Sequence, residues 1–488
     1  MSLPATLVLD DAAPVPPEIA AWIGIDRFGQ LLHQRQRLAD RLEKAGRTAG
    51  FGRPWWLRDL PDSRARADDL AKMPSDRRFV VCTSDVVGQA PDVLEHFLGK
   101  LAWSDGDVMA LPGDRTDSLI AALGPRQLAS LLAAEGASGR QGWIAQNRDR
   151  LDVIPAPGLA SLRDPDTLVG WLSGSLYARA FNQLAASGRT ITKTSSDVGK
   201  MQREHGWWYL LPPSMQRFAV QPYDLRIEGG RAEYTMERLA IPDAAILWIH
   251  GALADDVGLL DAVFEWLRTR PTRDDPRARE VAENLYLRKV DERVAALLGM
   301  PAGQRLDALL KAGTDTGGLT ELLGWYRQLL HRVWARGHGT KLAVTHGDLC
   351  LSNILYDPRI RLTKLIDPRG ATSPDEIWSD PLYDVAKLSH SILGGYDFVN
   401  HGQYDVVVEG DLRLGLRLDR PGSARIQAAF LERLEADGYD VARVRLYEAS
   451  LFLSMLPLHV GEEGRKLAGF ALIAAGILAD VERRLATR

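Results

Sequence analysis

Residues 342–370 read LAVTHGDLCLSNILYDPRIRLTKLIDPRG, and the fold of the chain turns on them. A short apolar run, Leu342, Ala343 and Val344, leads into His346-Gly347-Asp348, and Asn353 follows five residues after Asp348. Ile354-Leu355-Tyr356 has the character of a strand, Asp357-Pro358 is a turn signal, and Leu365-Ile366 predicts a second strand ending at Asp367. A hairpin centred so that Leu355 faces Leu365 sets Asn353 opposite Asp367. Residues paired across antiparallel strands lie roughly 5 Å apart. Two oxygen donors are therefore expected at the open end of the hairpin, with Asp348 emerging from the loop just before it. Two carboxylates and an amide in that arrangement suit a site that holds Mg²⁺ and orients a hydroxyl.

Asp, then Asn five residues on, then Asp after a hairpin is the order of a kinase catalytic loop and its metal-binding Asp, with Gly347 where a protein kinase carries Arg. His-Gly-Asp followed by Asn353 and Ile366-Asp367 resembles the aminoglycoside phosphotransferase and choline kinase family of small-molecule kinases. The resemblance covers residues 170 to 480 and is specific at 346–370. The strings DLCLSNILYD and LIDPRG also resemble a branch associated with bacterial capsule and surface-polysaccharide genes. It implies an α+β two-lobed, protein-kinase-like domain, with a small β N-lobe at 166–242 and a large helical C-lobe at 243–488. It also implies ATP and Mg²⁺ as cofactors and a small-molecule hydroxyl, of a sugar or sugar-like alcohol, as acceptor. In those terms Asp348 orients the acceptor and takes its proton, and Asn353 and Asp367 hold Mg²⁺. A catalytically inactive pseudokinase scaffold is the alternative, against which the intact polar positions speak.

The remaining parts of such a site lie on either side. Thr190 to Thr194 alternates as a strand should, Ser195-Ser196-Asp197 supplies helix-capping residue types, and Met201, Glu204 and Trp208 share a helical face. Lys193 on the strand and Glu204 on the helix are the pair expected to grip the nucleotide phosphates, with Lys200 as the competing lysine. Residues 174–188 hold only two glycines, so fewer backbone amides are expected on the phosphates, aided by Ser187 or Arg189. Residues 225–236 read as two strands joined at Gly229-Gly230, and backbone groups from Met236 to Arg238 are expected at the adenine edge, with Met236 as plain core the competing reading. Helical spacing runs through 257–268, 281–298 and 319–333, a hairpin through 404–418 carrying Glu409-Gly410-Asp411, and helices from 424 to 487 with a break near Pro457. The resemblance makes Asp384 a brace for the catalytic loop through backbone N–H groups, a role Asp380 fills equally well by sequence. Arg369 reads either as a contact for an acidic substrate or phosphate or as half of a salt bridge, and His459 as a structural histidine, with a place lining the substrate cleft as its competing reading.

At 488 residues the chain exceeds one ordinary core. A net charge of −4 gives no reason to expect a nucleic-acid partner. Two cysteines, Cys82 and Cys350, form no metal spacing and fit small buried hydrophobes in a reducing cytoplasm. The start, MSLPATLVLDDAAP, lacks the pattern of a secretory signal, and the longest apolar run, 467–479, is thirteen residues, short of the roughly twenty that span a membrane. Residues 1–165 alternate strands (5–9, 78–83, 108–111) with helices (31–44, 91–101), which predicts an α/β domain on a mostly parallel sheet. IGIDRFGQLLHQRQRLADRLEKAG, FVVCTSD and GDVMALPGD faintly resemble sugar nucleotidyltransferases, with Asp85 and Asp114 as candidate ligands or plain turn residues. In that family a glycine-rich loop cradles phosphates, but here the first strand runs into DDAAPVPP, with three prolines and no glycine. Proline has no N–H to offer, so no nest of amides is expected. The domain reads as a degenerate scaffold, and a bifunctional kinase and nucleotidyltransferase is the rival.

Overall fold

The computed structural model describes residues 5–486 except 34, 71, 91, 135, 173–181, 188, 411, 421 and 462–463, with backbone alone at 60, 136–137 and 182–187. The chain divides into two compact units, Met1–Gly188 and Arg189–Arg488. That boundary lies beyond residue 165 because the helix Pro165–Leu172 packs into the first unit. Its Trp171 packs against His33 with ring centroids 4.5 Å apart and the rings tilted by 46°, and lies under the Arg41 guanidinium.

The first unit is built on a six-stranded sheet in the order Trp55–Leu57, Ala5–Asp10, Arg78–Thr83, Ile120–Leu123, Val108–Ala110, Asp152–Val153. The sheet is mixed, not mostly parallel. Ile120–Leu123 runs antiparallel to both of its neighbours. The short link through residues 111–119 explains this, since a parallel return needs a longer crossover, usually a helix. A second difference is local. Leu32–His33 and Gln36–Arg37 pair as a small hairpin, so the amphipathic helix begins at Leu38 and runs to Thr48.

In the second unit Arg231–Glu237 lies between Thr190–Ser195 and Pro222–Glu228, all antiparallel. Gly229 and Gly230 close the hairpin with φ of 56° and 74°, the pair of left-handed residues a tight turn of this kind demands. The helix Val198–Leu210 starts at Asp197, whose carboxylate accepts the Lys200 N–H, and buries Met201, Glu204 and Trp207. Trp207, rather than Trp208, completes the inward face. Helices make up most of the remainder of this unit, and their core gathers residues of Leu319–Ala335, Val441–Met455 and Gly464–Ala486. The Tyr286 and Tyr447 rings stack there at 3.6 Å. Leu467, Phe470, Ile473, Ala474, Ile477 and Leu478 of the run 467–479 belong to that core, and among the described residues no helix is long and apolar enough to cross a membrane.

The Lys341–Val344 strand pairs with Thr272–Asp274 on one side and Trp378–Ser379 on the other. Leu342, Ala343 and Val344 are at most 1 % exposed, so the apolar run is fully walled and the chain must leave it through the His346 loop. The next hairpin joins Ile354–Asp357 to Leu362–Leu365, with Leu355 opposite Lys364 instead of Leu365. Arg361, at φ 53°, shortens the loop by one residue and shifts the register. Asn353 consequently faces Ile366, whose N–H it accepts at 3.0 Å, and Asp367 lies one residue further on.

Candidate active site

Lys193 projects from its strand into the second unit and is 3 % exposed. Its Nζ donates to Glu204 Oε2 at 2.7 Å and to Asp367 Oδ1 at 2.8 Å. Glu204 is fixed in turn by the Tyr234 hydroxyl at 2.9 Å on Oε2 and by Lys200 at 3.5 Å from Oε1. Burial works against the Lys193 charge, but Asp367 and Glu204 outweigh it and hold the ammonium above its usual pKa. Lys200 is the outer lysine, 45 % exposed at the side chain, so the two candidates are separated by burial.

Two glycines allow the Asp367 loop to lie against this helix. Gly370 has φ 86°, and a Cβ there would fall 2.4 Å from the Arg203 carbonyl carbon. A Cβ on Gly206 would fall 2.6 Å from the Ala371 oxygen. The Ala371 N–H donates to the Arg203 carbonyl at 2.9 Å across the same contact. Asp367 itself has φ 53°, a conformation that a non-glycine residue adopts only when its surroundings impose it.

The His346 loop is bonded to both of these parts. Asp384, fully buried, accepts the His346 N–H on Oδ2 and the Gly347 N–H on Oδ1, each at 2.9 Å, and meets Arg270 at 3.2 Å. Asp380 instead accepts the Leu382 N–H and the Tyr286 hydroxyl, which settles the brace as Asp384. His346 lies 3.0 Å from the Ile366 carbonyl through Nε2, and Nδ1 lies 3.3 Å from the Asp348 N–H. A neutral ring with its proton on Nε2 satisfies both bonds, and burial pushes its pKa down accordingly. Gly347, at φ 79°, lies so close to Arg369 that a Cβ would approach that residue's Cβ to 2.6 Å. The Arg of a protein-kinase loop has no room there.

Asn353 donates Nδ2 to the Asp348 carbonyl at 2.9 Å. Its side-chain oxygen is left to act as a ligand, and Asp367, 45 % exposed at the side chain, presents a second carboxylate oxygen beyond the one on Lys193. Among the described residues no three His, Cys, Asp or Glu side chains form a metal cluster. An Asn and an Asp fit Mg²⁺ nonetheless, since that ion keeps several waters and takes its remaining ligands from phosphate oxygens.

Asp348 and Lys387 are ion-paired at 2.8 Å. Burial would raise the Asp348 carboxyl, but the Lys387 ammonium outweighs it and holds the group below the usual carboxylate range. Lys387 escaped the sequence reading. It sits three residues after Asp384 on the helix Leu382–Ile392, so the helix that braces the loop also delivers a cation to its carboxylate. That spacing was the available signal.

The proposed adenine contacts stand differently. Met236 is paired with Ile191 on one side and Pro222 on the other, and its side chain packs against Met201, Ala232 and Tyr234. The Arg238 N–H donates to the Arg189 carbonyl at 2.8 Å, so it is engaged within the sheet. Residues 174–181, Gly188, the Ser187 side chain and Asp411 lie outside the described residues. His459 lines a cavity beside Asp348, which is the cleft-lining alternative to its structural reading.

The first unit presents no comparable site among the described residues. Asp85 is fully buried, bonded to Ser118 and to Ser161 at 2.8 Å and paired with Arg163 at 3.4 Å, while Asp114 is exposed. In the loop after the first strand the N–H groups of Asp11, Ala12 and Val15 are bonded within the protein, and three of its residues are prolines. The amide nest of a phosphate-binding loop does not form.

No protein-family model matches the chain, and no curated protein matches it in sequence. Among solved structures it is similar to the apo form of a thermostable mutant of aminoglycoside phosphotransferase APH(4)-Ia, at 14 % identity over 62 % of this chain and 92 % of that one, with a TM-score of 0.35. It is similar also to APH(3'')-Id from Streptomyces rimosus ATCC10970 in complex with ADP and streptomycin, at 19 % identity over 60 % and 97 % of the two chains, TM-score 0.34. A third is the aminoglycoside-3'-phosphotransferase of type VIII, at 16 % identity over 56 % and 89 %, TM-score 0.35. Superpositions this loose carry no argument about activity, which rests on the side chains described above.

Proposed function

We propose that the second unit is a two-lobed, kinase-like phosphotransferase that moves the γ-phosphoryl group of ATP to a hydroxyl of a small molecule, a sugar or sugar-like alcohol of envelope metabolism. The observation that carries this reading is the Lys193 ammonium held between Glu204 and Asp367, on a loop bonded to the one that bears Asp348. Phosphoryl transfer asks little covalent chemistry of a protein and much positioning and charge neutralisation.

Lys193, fixed by Glu204, binds the α- and β-phosphates. Asn353 and Asp367 hold Mg²⁺, which neutralises charge on the phosphate oxygens. Asp348 orients the acceptor hydroxyl and accepts its proton as the new oxygen–phosphorus bond forms and the bond from the γ-phosphorus to the ADP oxygen breaks. With its pKa held low by Lys387, Asp348 is ionised at neutral pH and takes the proton late, when the hydroxyl has become acidic. An ATP donor and two buried, unbridged cysteines agree with a cytoplasmic setting.

Asp348→Asn tests the base. Acceptor-dependent ADP release is expected to fall by about 10²-fold or more, with ATP affinity within about twofold of wild type. Turnover retained at the wild-type rate removes Asp348 from that role. Asp367→Ala is expected to weaken Mg·ATP binding at least tenfold, by roughly the worth of a charged contact, and unchanged affinity refutes the metal assignment.

A further inference from the structure

A cavity of about 270 Å³ opens beside Asp348, lined wholly by residues of the second unit. Asp348, Asn353 and Lys387 form one wall, and Lys289, Arg293 and Tyr383 another. Ligand pockets typically measure about 300–1,000 Å³, so this one suits a compact molecule.

Its charge is lopsided. Lys289, Arg293 and Lys387 line it against a single carboxylate among the described residues, Asp348, and Lys387 is already paired with that carboxylate. Lys289 reaches only the Tyr383 hydroxyl, at 3.4 Å, and Arg293 the Ser454 carbonyl, at 2.9 Å. Neither has a carboxylate partner among the described residues. Several other buried cations of the chain are paired with carboxylates, as Lys193 with Glu204, Arg270 with Asp384, Arg140 with Asp10 and Arg445 with Glu448. Half-buried cations left without a counter-charge cost stability, which is tolerated where a ligand supplies the charge. Their field is felt at Tyr383. Burial would raise that phenol, but Lys387, Lys289 and Arg369 together draw it below its usual pKa.

Two further features point at a ligand. His390 lines the cavity, is 2 % exposed, and has neither ring nitrogen hydrogen-bonded among the described residues. It is held between Tyr396 and Phe452, at centroid distances of 4.4 and 4.2 Å, so its orientation is set by packing. A buried imidazole without a partner is costly unless something else takes its proton or lone pair. A π-helical turn, Asn284–Arg288, also ends immediately before Lys289. Such turns re-aim the residues after them and are frequent at functional sites.

We propose that the phosphate acceptor is itself an anion, whose phosphate monoester or carboxylate sits between Lys289 and Arg293 while its free hydroxyl faces Asp348 and His390 hydrogen-bonds its body. This rests on the phosphotransferase reading and narrows it. The transfer is unchanged: the acceptor hydroxyl gains the γ-phosphoryl group, ADP leaves, and the hydroxyl proton passes to Asp348. A cationic acceptor such as an amino sugar would meet Lys289 and Arg293 as like charges.

Four molecules sharing one ring separate the possibilities: glucose 6-phosphate, glucuronate, glucose and glucosamine, titrated calorimetrically into the full chain. At least one anion is expected to bind about tenfold or more tighter than glucose, as contacts to charged groups are worth, with glucosamine weakest. Comparing the two anions separates phosphate from carboxylate. That advantage is expected to vanish in Lys289→Met/Arg293→Gln and to persist in Arg288→Gln, a neighbouring cation turned to Glu283. Thermal melts of both variants establish that they fold. Neutral or cationic sugars binding as well as the anions, no anion binding at all, or an advantage indifferent to the double variant would each overturn the proposal. Mg·ATP binding, measured on the same samples, reports separately on the phosphotransferase reading, so the two can fail independently.

Discussion

Glu448 is fully buried on the helix Val441–Met455, with Ser389 and Arg445 both on its Oε2. Ser389 belongs to the helix Leu382–Ile392 that carries Asp384, Lys387 and His390, so this carboxyl ties the site's supporting helix to the core. Burial pushes its pKa from an ordinary 4.5 up to about 7, although Arg445, Ser389 and Arg420 pull the other way. The folded state therefore holds this proton more tightly than the unfolded chain. Its contribution to stability is complete below about pH 4.5 and is lost as pH rises through about 7. The shift corresponds to about 3 kcal/mol across that window. In urea unfolding at about pH 5 and pH 7.5, wild type is expected to lose about 2–3 kcal/mol more than Glu448→Gln. Equal losses in the two proteins would show that the residue titrates normally.

The junction between the helix Val198–Leu210 and the loop around Asp367 is where element packing sets the chemistry. Gly370→Ala places a methyl group 2.4 Å from the Arg203 carbonyl carbon at a left-handed φ, so helix and loop must separate. The variant is expected to lose about 2–4 kcal/mol of stability and to bind ATP several-fold more weakly, because Lys193 is then no longer clamped by both elements. Wild-type melting and nucleotide affinity together would refute this coupling. Much of the junction was legible in sequence. Lys193, Glu204, Asp348, Asn353 and Asp367 stand in short motifs, and motif order predicts without knowledge of packing that Lys193 meets Glu204 close to Asp367, as it does. The hairpin register was not legible, because it hangs on Arg361, a non-glycine residue taking a left-handed conformation that no propensity announces. The acceptor cavity was not legible either. Lys289 and Lys387 come from separate helical segments, and periodicity shows which faces are apolar but not which helices meet.

At the scale of the molecule, sequence pattern separated an α/β part from a β-then-helical part but misjudged the sheet and the boundary. A strand's direction depends on the length of its link, and the residues 111–119 are polar enough to read as loop without revealing a reversal. The boundary was missed because Trp171 belongs to a core with His33, a pairing distant in sequence. The two units have separate hydrophobic cores, one gathered from residues between Val8 and Leu151 and the other from residues between Ala282 and Leu485. Lys193, Glu204, Asn353, Asp367, Asp348 and the lining of the acceptor cavity all belong to the second unit. In the first unit's loop at Asp10 the amides of Asp11, Ala12 and Val15 are engaged and three positions are proline, which leaves little of an amide nest for phosphate. A chain beginning at Asn182 is therefore expected to fold cooperatively and to keep Mg·ATP affinity within about threefold of the full protein, a difference of under about 1 kcal/mol. Calorimetry on both chains measures this directly. A shortened protein that melts cooperatively yet fails to bind nucleotide would mean that the first unit contributes to the nucleotide site. Retained affinity with a changed KM for the acceptor would instead assign it a part in presenting the substrate, and both values unchanged would leave it a scaffold.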